Sequence, residues 1–254
     1  YAKIFKAEGI AFESAESAPG RGNIWARLAG GDEPALILLQ HTDVVPADLE
    51  YWTTEPLSGE LRDGYILGRG ARDMKGTGIS HLAAFLSLHR SGRALNRDVV
   101  FAASADEEAG GEFGVGWLIE NRPEIFAGAG LLLNEGGAGA RARGSDRVVF
   151  GVEVTQKVPV WLRLTAVDVP GHGSSPRTTS SVTRIVDALG IMRANPFPAR
   201  IIAPVDTYFK GLAIDRDDEW GAAFASMPLA IQDPEFLPSL QEMSPGLHSL
   251  TRDT

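Results

Sequence analysis

The sequence contains no cysteine, so it can form neither a disulfide framework nor a thiolate metal site. Any metal ion must therefore be held by histidine and carboxylate side chains. The sequence also has no apolar run that approaches the roughly 20 residues of a membrane-spanning helix. Acidic residues outnumber basic residues by 33 to 24, and the net charge of −9 argues against the basic stripes of a nucleic-acid-binding protein. We therefore expect neither a membrane nor a nucleic acid as a partner.

Length and composition are those of a globular protein with one large domain or two ordinary ones. The chain has 254 residues, of which 44% are hydrophobic and 22% charged, and it has no low-complexity tract. It begins at Tyr1 inside a helical pattern, without methionine, and it stops at Thr254 without a closing element. We therefore expect a fragment of a longer protein. We expect that protein to be cytoplasmic. An upstream signal for secretion or periplasmic export is the alternative, because the start of such a protein would be missing.

Three continuous apolar runs end in acidic or imidazole side chains. The run at residues 35–40 leads to His41, the run at 98–105 leads to three consecutive acids, and the run at 130–134 leads to Glu135. A fourth run, at residues 23–30, alternates in polarity and predicts an edge strand. Because helical patterns follow Lys75 and Gly111, we predict an α/β domain with a mostly parallel sheet. Ligand sites in such sheets lie at the carboxyl ends of the strands, where these side chains would meet.

The pattern changes near residue 157. Residues 158–168 alternate like an antiparallel strand, a glycine- and serine-rich loop carries His172, and a helical pattern covers residues 181–193. From Pro204 onward the sequence is proline-rich with short helical segments. We therefore predict a second, smaller α+β domain over residues 157–254.

His41 and Asp43 are one residue apart at the end of a strand, so their side chains can point to the same side. A metal-bound imidazole commonly donates its second N–H to a carboxylate, and this pair supplies both groups. A buried histidine with a local hydrogen bond is the alternative. Asp73 follows a glycine-rich turn, where a carboxylate can bridge two cations or can cap the next helix. Gly68 and Gly70 match the first two glycines of the dinucleotide-binding pattern G-x-G-x-x-G, but Asp73 stands where the pattern requires its third glycine. This mismatch argues against a nucleotide site.

The consecutive acids Asp106, Glu107 and Glu108 fit a hydrolase with two metal ions. Such an enzyme needs one carboxylate to bind metal and a free one to take a proton from water, and adjacent acids supply both. A solvated acidic turn is the alternative, and Asp106 receives no role beyond shaping the turn. Glu135 becomes a credible ligand because it lies at the same sheet edge. Histidine and carboxylate ligands without thiolate suit zinc, cobalt or manganese.

In this order the motifs resemble those of the di-zinc metallopeptidases that include aminoacylase, glutamate carboxypeptidase, succinyl-diaminopimelate desuccinylase and carboxypeptidase S. The block from HTDVVPAD to GRGARDMKG, residues 41–76, is the most specific part, and the resemblance covers nearly the whole chain. It implies a mostly parallel-sheet catalytic domain, of which residues 1–156 are the N-terminal part. It also implies an inserted smaller α+β lid and dimerisation domain, of which residues 157–254 are a part.

The resemblance implies two zinc ions, with cobalt or manganese as alternatives, and a cis peptide bond between Asp73 and Met74. The implied ligands are His41 and Glu135 for one ion, Glu108 for the other, and Asp73 between the two. The implied catalytic residues are Asp43, which orients His41, Glu107 as general base, and His172, which helps to polarise the scissile carbonyl, often from the partner subunit.

The implied reaction is hydrolysis of the amide or peptide bond of a small peptide or N-acyl amino acid by a water between two metal ions. A homodimer formed through the lid is the implied assembly. Two features of the family, a final ligand histidine and a substrate-binding arginine after the lid, have no match, and His248 is not assigned to either site. A non-catalytic metal- or peptide-binding homologue, or an inactive fragment, is therefore the alternative.

Overall fold

The apolar runs that precede the candidate ligands lie side by side in a computed structural model of the chain. The structure describes residues 1–141, 146, 148–158, 160–214 and 216–253. The strands are β1 (Phe12–Glu16), β2 (Gly22–Leu28), β3 (Glu33–His41), β4 (Glu60–Arg62), β5 (Tyr65–Leu67), β6 (Arg97–Ser104), β7 (Ala129–Leu133), β8 (Ala138–Arg141) and β9 (Val148–Gly151). The α-helices are α1 (Ala2–Glu8), α2 (Thr77–Ser91), α3 (Trp117–Asn121), α4 (Ser181–Ala194), α5 (Ala203–Ala213), α6 (Glu219–Ala225), α7 (Met227–Ala230), α8 (Phe236–Met243) and α9 (Pro245–Ser249).

Five strands form the main sheet, in the order β1-β2-β6-β3-β7. Strands β6, β3 and β7 are parallel, whereas β1 and β2 join them by antiparallel pairing. The predicted α/β class and the parallel arrangement of the three apolar runs are confirmed. The prediction that residues 23–30 form an edge strand is wrong, because β2 lies between β1 and β6. The helical pattern at the start of the chain ends at Gly9, where a left-handed φ of 68° stops α1 and leads into β1. The edge strands of this sheet are β1 and β7.

Strands β3 and β6 are buried on both faces, which explains why these central strands are continuously apolar. Successive side chains of β6 point to opposite faces, so Val99, Phe101 and Ala103 pack with residues of α1 and α2. Val100 and Ala102 pack on the other face with residues of α3 and the following helical turn. This layering holds β3 and β6 rigidly side by side, with His41 directly opposite Ser104 at their carboxyl ends.

The helix predicted after Gly111 is interrupted. A wide helical turn at Glu112–Gly116 precedes α3, and a short 3-10 turn at Pro123–Ile125 follows it. The interruption centres on Gly114, whose backbone is not helical. A Cβ atom on Gly114 would lie 1.8 Å from the carbonyl oxygen of Ala105, so only glycine allows this approach. The segment thereby stays close to the acids that follow β6.

The chain divides into two compact units, Tyr1–Gly151 and Val152–Thr254. The described residues of the second unit contain α4 to α9 and no strand, so the α+β composition expected there is not found in them. The strand predicted for residues 158–168 is absent from the described residues of that segment, and Pro159 lies outside them. Alternation alone does not make a strand, because its backbone groups need a neighbouring strand to pair with.

The helix predicted at residues 181–193 is present as α4, with Ser180 and Thr183 forming a capping box at its start. The second unit has a hydrophobic core of its own around Phe209 and Phe224, to which α5, α6, α7 and α8 contribute buried side chains. Among the described residues, none of the helices has both the length and the apolar character that crossing a membrane requires.

Candidate metal centre

His41 is the last residue of β3 and is buried, with 3% of its surface exposed. Its Nε2 atom lies 3.1 Å from Asp73 Oδ1, 3.4 Å from Glu135 Oε2 and 4.0 Å from Glu107 Oε2. Three carboxylates from three separate segments thus meet one ring nitrogen. This is the sheet-edge arrangement that the ends of parallel strands make possible.

Asp43 contacts both the imidazole and the acids that follow β6. The His41 Nδ1 atom lies 3.1 Å from the Asp43 carbonyl oxygen and 3.4 Å from its carboxylate. The two oxygens of the same carboxylate accept the backbone N–H groups of Glu107 and Glu108, each at 3.1 Å. We call residues 105–111 the acid turn. Asp43 therefore links the orientation of the His41 ring to the position of the acid turn.

Asp73 reaches the site through an irregular segment before α2. The backbone at Gly70 is left-handed, with a φ of 79°, and the Asp73–Met74 peptide bond is cis, as the resemblance implied. The alternative role as a helix cap is not what the structure shows, because Gly76 holds the N-cap position of α2. Instead the Asp73 carboxylate faces His41, while the buried Met74 sulfur accepts the His41 backbone N–H at 3.3 Å.

The described residues contain two groups of side chains that could hold a metal ion, and His41 belongs to both. The ligand atoms of each group lie within 4.8 Å of one another. The groups are His41 with Asp73 and Glu108, and His41 with Glu107 and Glu135. Both differ from the predicted sets, which place Glu135 with His41 and Asp73 and keep Glu107 free. The individual ligand roles therefore remain predictions.

The charges in this cluster are unbalanced. Burial raises the pKa of Glu107, and the charge of Glu108 adds to this effect, although His41 opposes it. Burial also raises the pKa of Glu135, and the charge of Glu107 adds to it. Burial lowers the pKa of His41, but the hydrogen bond to Asp73 and the other carboxylates outweigh burial and raise it overall. Several carboxylates around a single imidazole form an environment that favours added positive charge.

The donor set fits a divalent cation. It offers one imidazole nitrogen and several carboxylate oxygens, which are ligands that suit zinc, cobalt or manganese. The His41 Nδ1 atom is already turned toward Asp43, which leaves Nε2 facing the carboxylates. A ring nitrogen held in this way is the usual state of a metal-binding histidine.

Asp106 does more than the sequence indicated. Its backbone has a left-handed φ of 67°, and its side chain is buried rather than directed to solvent with the other acids. One carboxylate oxygen lies 2.9 Å from Arg21 Nε, and the other accepts the Phe113 N–H at 3.1 Å. No local pattern signals this pairing, because Arg21 precedes β2 and Asp106 follows β6.

The remaining histidines are elsewhere in the fold. His89 lies on α2, where its Nε2 atom is 3.0 Å from the Glu8 carbonyl oxygen, and His81 lies on the same helix. We interpret both histidines as structural, because neither belongs to the groups around His41 that could hold a metal ion. His172 lies in the second unit, where its exposed ring accepts the Ser174 backbone N–H at 3.2 Å. Its catalytic role remains a prediction.

Comparison with known proteins adds independent findings. The family model described as peptidase family M20/M25/M40 matches residues 37–242. Aminoacylase-1 of Sus scrofa is 37% identical over 171 residues, which are 65% of this chain and 40% of that protein. N-fatty-acyl-amino acid synthase/hydrolase PM20D1 of Xenopus tropicalis is 31% identical over 233 residues, which are 90% of this chain and 45% of that protein. The solved structure of human carnosine dipeptidase 1 matches with a TM-score of 0.41 and 26% identity, over 52% of this chain and 30% of that chain. The chain thus spans less than half the length of these relatives.

Proposed function

The chain belongs to peptidase family M20/M25/M40, and we propose that it is a metal-dependent hydrolase that cleaves the amide bond of an N-acyl amino acid or a small peptide. The observation that carries the proposal is the meeting of the His41 imidazole with carboxylates from three segments at the carboxyl edge of the sheet. One relative is named an N-fatty-acyl-amino acid synthase/hydrolase and another an aminoacylase, which supports that substrate class. The family description supports peptides as the second class.

We propose that His41, Asp73 and Glu135 hold one zinc ion and that Asp73 and Glu108 hold a second, with cobalt or manganese as alternatives. Bound divalent cations would polarise the amide carbonyl and make a water molecule easier to deprotonate.

In the proposed reaction the chain's own residues move the proton. Glu107 takes a proton from the attacking water and later delivers it to the leaving amine nitrogen. Asp43 keeps the His41 ring in place and holds the backbone of Glu107 and Glu108. His172, from the same chain or from a partner subunit, helps to stabilise the charge that develops on the carbonyl oxygen.

We further propose that residues 1–156 form the N-terminal part of the catalytic domain and that residues 157–254 contribute to a lid through which a homodimer forms. The support is the change of sequence pattern near residue 157 and the glycine-rich loop around His172. Measurement of the mass in solution, with and without residues 157–254, tests the dimer. A mass that does not depend on this region would contradict the proposal.

Metal removal gives the direct test of the proposed function. We expect zinc to raise the free energy of unfolding of the chelator-treated protein, by about 2.7 kcal/mol at a zinc concentration 100-fold above Kd. Thermal unfolding with zinc, and again after addition of EDTA, measures this effect. Hydrolysis of N-acyl amino acids and dipeptides is assayed on the same samples. Zinc binding without any hydrolysis would favour a non-catalytic metal-binding homologue, and the absence of both would contradict the proposal.

Asp43→Asn is expected to weaken zinc affinity by about 10–100-fold, the usual cost of losing a group that orients a metal ligand. The amide that replaces the carboxylate keeps one acceptor oxygen, but its NH₂ group cannot accept a backbone N–H of the acid turn. Competition with a chromophoric chelator measures the affinity. Asp48→Asn is the matched control, because the Asp48 carboxylate also accepts a backbone N–H, from Glu50, in an exposed turn. Equal affinities for the two variants would contradict the role of Asp43.

A further inference from the structure

The acid turn has a second set of contacts besides those with Asp43, and they come from residues in and next to the turn between β1 and β2. This turn is closed by backbone hydrogen bonds, from Ser17 N–H to the Arg21 carbonyl at 3.0 Å and from Arg21 N–H to the Ala18 carbonyl at 2.8 Å. Arg21 at the end of this turn and Asn23 in β2 contact the acid turn, Arg21 through Asp106 and Asn23 through the Ala105 N–H. We call Arg21, Asn23 and Asp106 the Arg21 network.

Asn23 joins the two ends of the segment that contains the acid turn. It is 1% exposed, and its Oδ1 atom accepts the Ala105 N–H at 3.0 Å. Its Nδ2 atom donates to the Phe113 carbonyl at 3.2 Å and to Ser17 Oγ at 3.3 Å. A buried amide with both of its ends satisfied in this way fixes the entry and exit of the segment.

The ion pair between Arg21 and Asp106 is a second contact that fixes the segment. The Asp106 side chain is 4% exposed, and its two oxygens contact Arg21 Nε and the Phe113 N–H. The Asp106 carbonyl also accepts the Gly111 N–H at 2.7 Å, which closes the acid turn on itself. Removing one partner of such a nearly buried carboxylate leaves a charge that the rest of the fold must accommodate.

We propose that Arg21, Asn23 and Asp106 are positioning residues that hold Glu107 and Glu108 in place for the chemistry at the sheet edge. Glu107 and Glu108 directly follow Asp106, and the Asp43 carboxylate accepts their backbone N–H groups. The acid turn therefore has two anchors, the Arg21 network and Asp43, so loss of one lets both glutamates shift together. Misplacement of a reacting group by about 1 Å can cost about 10²-fold in rate. This inference rests on the proposed function, because it concerns the same pair of glutamates.

Asp106→Asn and Asp98→Asn form a matched pair for the test. Asp98 lies near the start of β6 and Asp106 just beyond its end, and each carboxylate contacts an arginine and a backbone N–H. Asparagine keeps the size of the side chain and tolerates the left-handed backbone at residue 106. The probe is Co²⁺ alone, whose visible spectrum reports the arrangement of its ligands and whose titration reports affinity.

We expect Asp106→Asn to weaken Co²⁺ affinity by about tenfold and to alter the Co²⁺ spectrum, as for other groups that orient metal ligands. With substrate, kcat should fall more than KM rises. Asp98→Asn should leave affinity and spectrum unchanged. Equal effects of the two variants on Co²⁺ binding would overturn the inference, because the pair would then act only on stability.

Arg21→Gln provides a second variant if Asp106→Asn does not fold. The Arg21 side chain is 45% exposed, so its replacement leaves no buried cavity. Arg21→Gln should also lower the affinity for Co²⁺. The double variant should bind Co²⁺ no more weakly than the single variant with the lower affinity, because both changes remove the same interaction. Additive losses would contradict a shared network. Absence of Co²⁺ binding by the unsubstituted protein would instead overturn the proposed function, and with it this inference.

Discussion

Glu107→Gln is expected to lower kcat by about 10²–10⁴-fold, the range that a positioned general base contributes. Glutamine keeps the size and the backbone of Glu107, and the hydrogen bond from its N–H to Asp43 is a backbone contact that the change leaves in place. What the change removes is the group that accepts a proton from water. The ligands proposed for the two ions, His41, Asp73, Glu108 and Glu135, are all retained, so metal should still bind.

The measurement is kcat on an N-acyl amino acid, with metal content determined on the same preparation. Glu112→Gln is the matched control, because Glu112 is an exposed acid shortly after the acid turn. It should keep nearly full activity. If Glu107→Gln lost its metal together with its activity, Glu107 would be a ligand. A ligand role for Glu107 is the specific alternative, because its carboxylate lies close enough to His41 and Glu135 to share a metal ion with them. Substantial residual activity would exclude Glu107 as the base.

Phe101→Ala is expected to lower the free energy of unfolding by about 3–5 kcal/mol, the usual cost of truncating a buried phenylalanine. Phe101 is fully buried in the middle of β6. Its ring centroid lies 5.6 Å from that of Phe5, 5.8 Å from that of Phe85 and 5.2 Å from that of Tyr1. The change removes both apolar burial and these aromatic contacts, and it leaves a cavity between α1, α2 and the sheet.

Urea unfolding of the metal-free protein measures this loss, which avoids any contribution from metal binding. Phe197→Ala is the control, because that ring is 62% exposed and its truncation should change the free energy of unfolding by less than about 0.5 kcal/mol. A loss for Phe101→Ala as small as the one expected for Phe197→Ala would show that the cluster around Phe101 does not carry the stability of the first unit.

Elements with strong local patterns could be predicted from the sequence. The apolar runs of β3 and β6 were readable because both faces of these strands are buried. The run of β7 was readable from its leucines alone, although Leu131, Leu132 and Leu133 are each about half exposed. β1 was missed because its burial is only partial and because a helical pattern runs up to it. The strand predicted at residues 158–168 is absent from the described residues of that segment for a related reason. A segment of alternating polarity forms a strand only where a neighbouring strand can pair with its backbone N–H and C=O groups.

The candidate site shows the same division. His41, Asp73, Glu107, Glu108 and Glu135 could be selected because each follows a recognisable strand or glycine-rich turn. The double contact of Asp43 with the backbone of the acid turn could not be read from the sequence, because it depends on the register of β3 against β6. Every residue except proline has a backbone N–H group, so residue types do not indicate which of these groups Asp43 will contact.

The sequence by itself determined the α/β class of the first unit, the edge of the sheet at which the site lies and the residue types that meet there. Their cause is local, since strand ends, glycine-rich turns and apolar periodicity depend on neighbouring residues. Only the tertiary structure decided that β2 is an inner strand and that Asp106 turns away from Glu107 and Glu108 to pair with Arg21. These features depend on contacts between segments far apart in the chain, and a buried carboxylate takes whichever partner the packed fold brings to it.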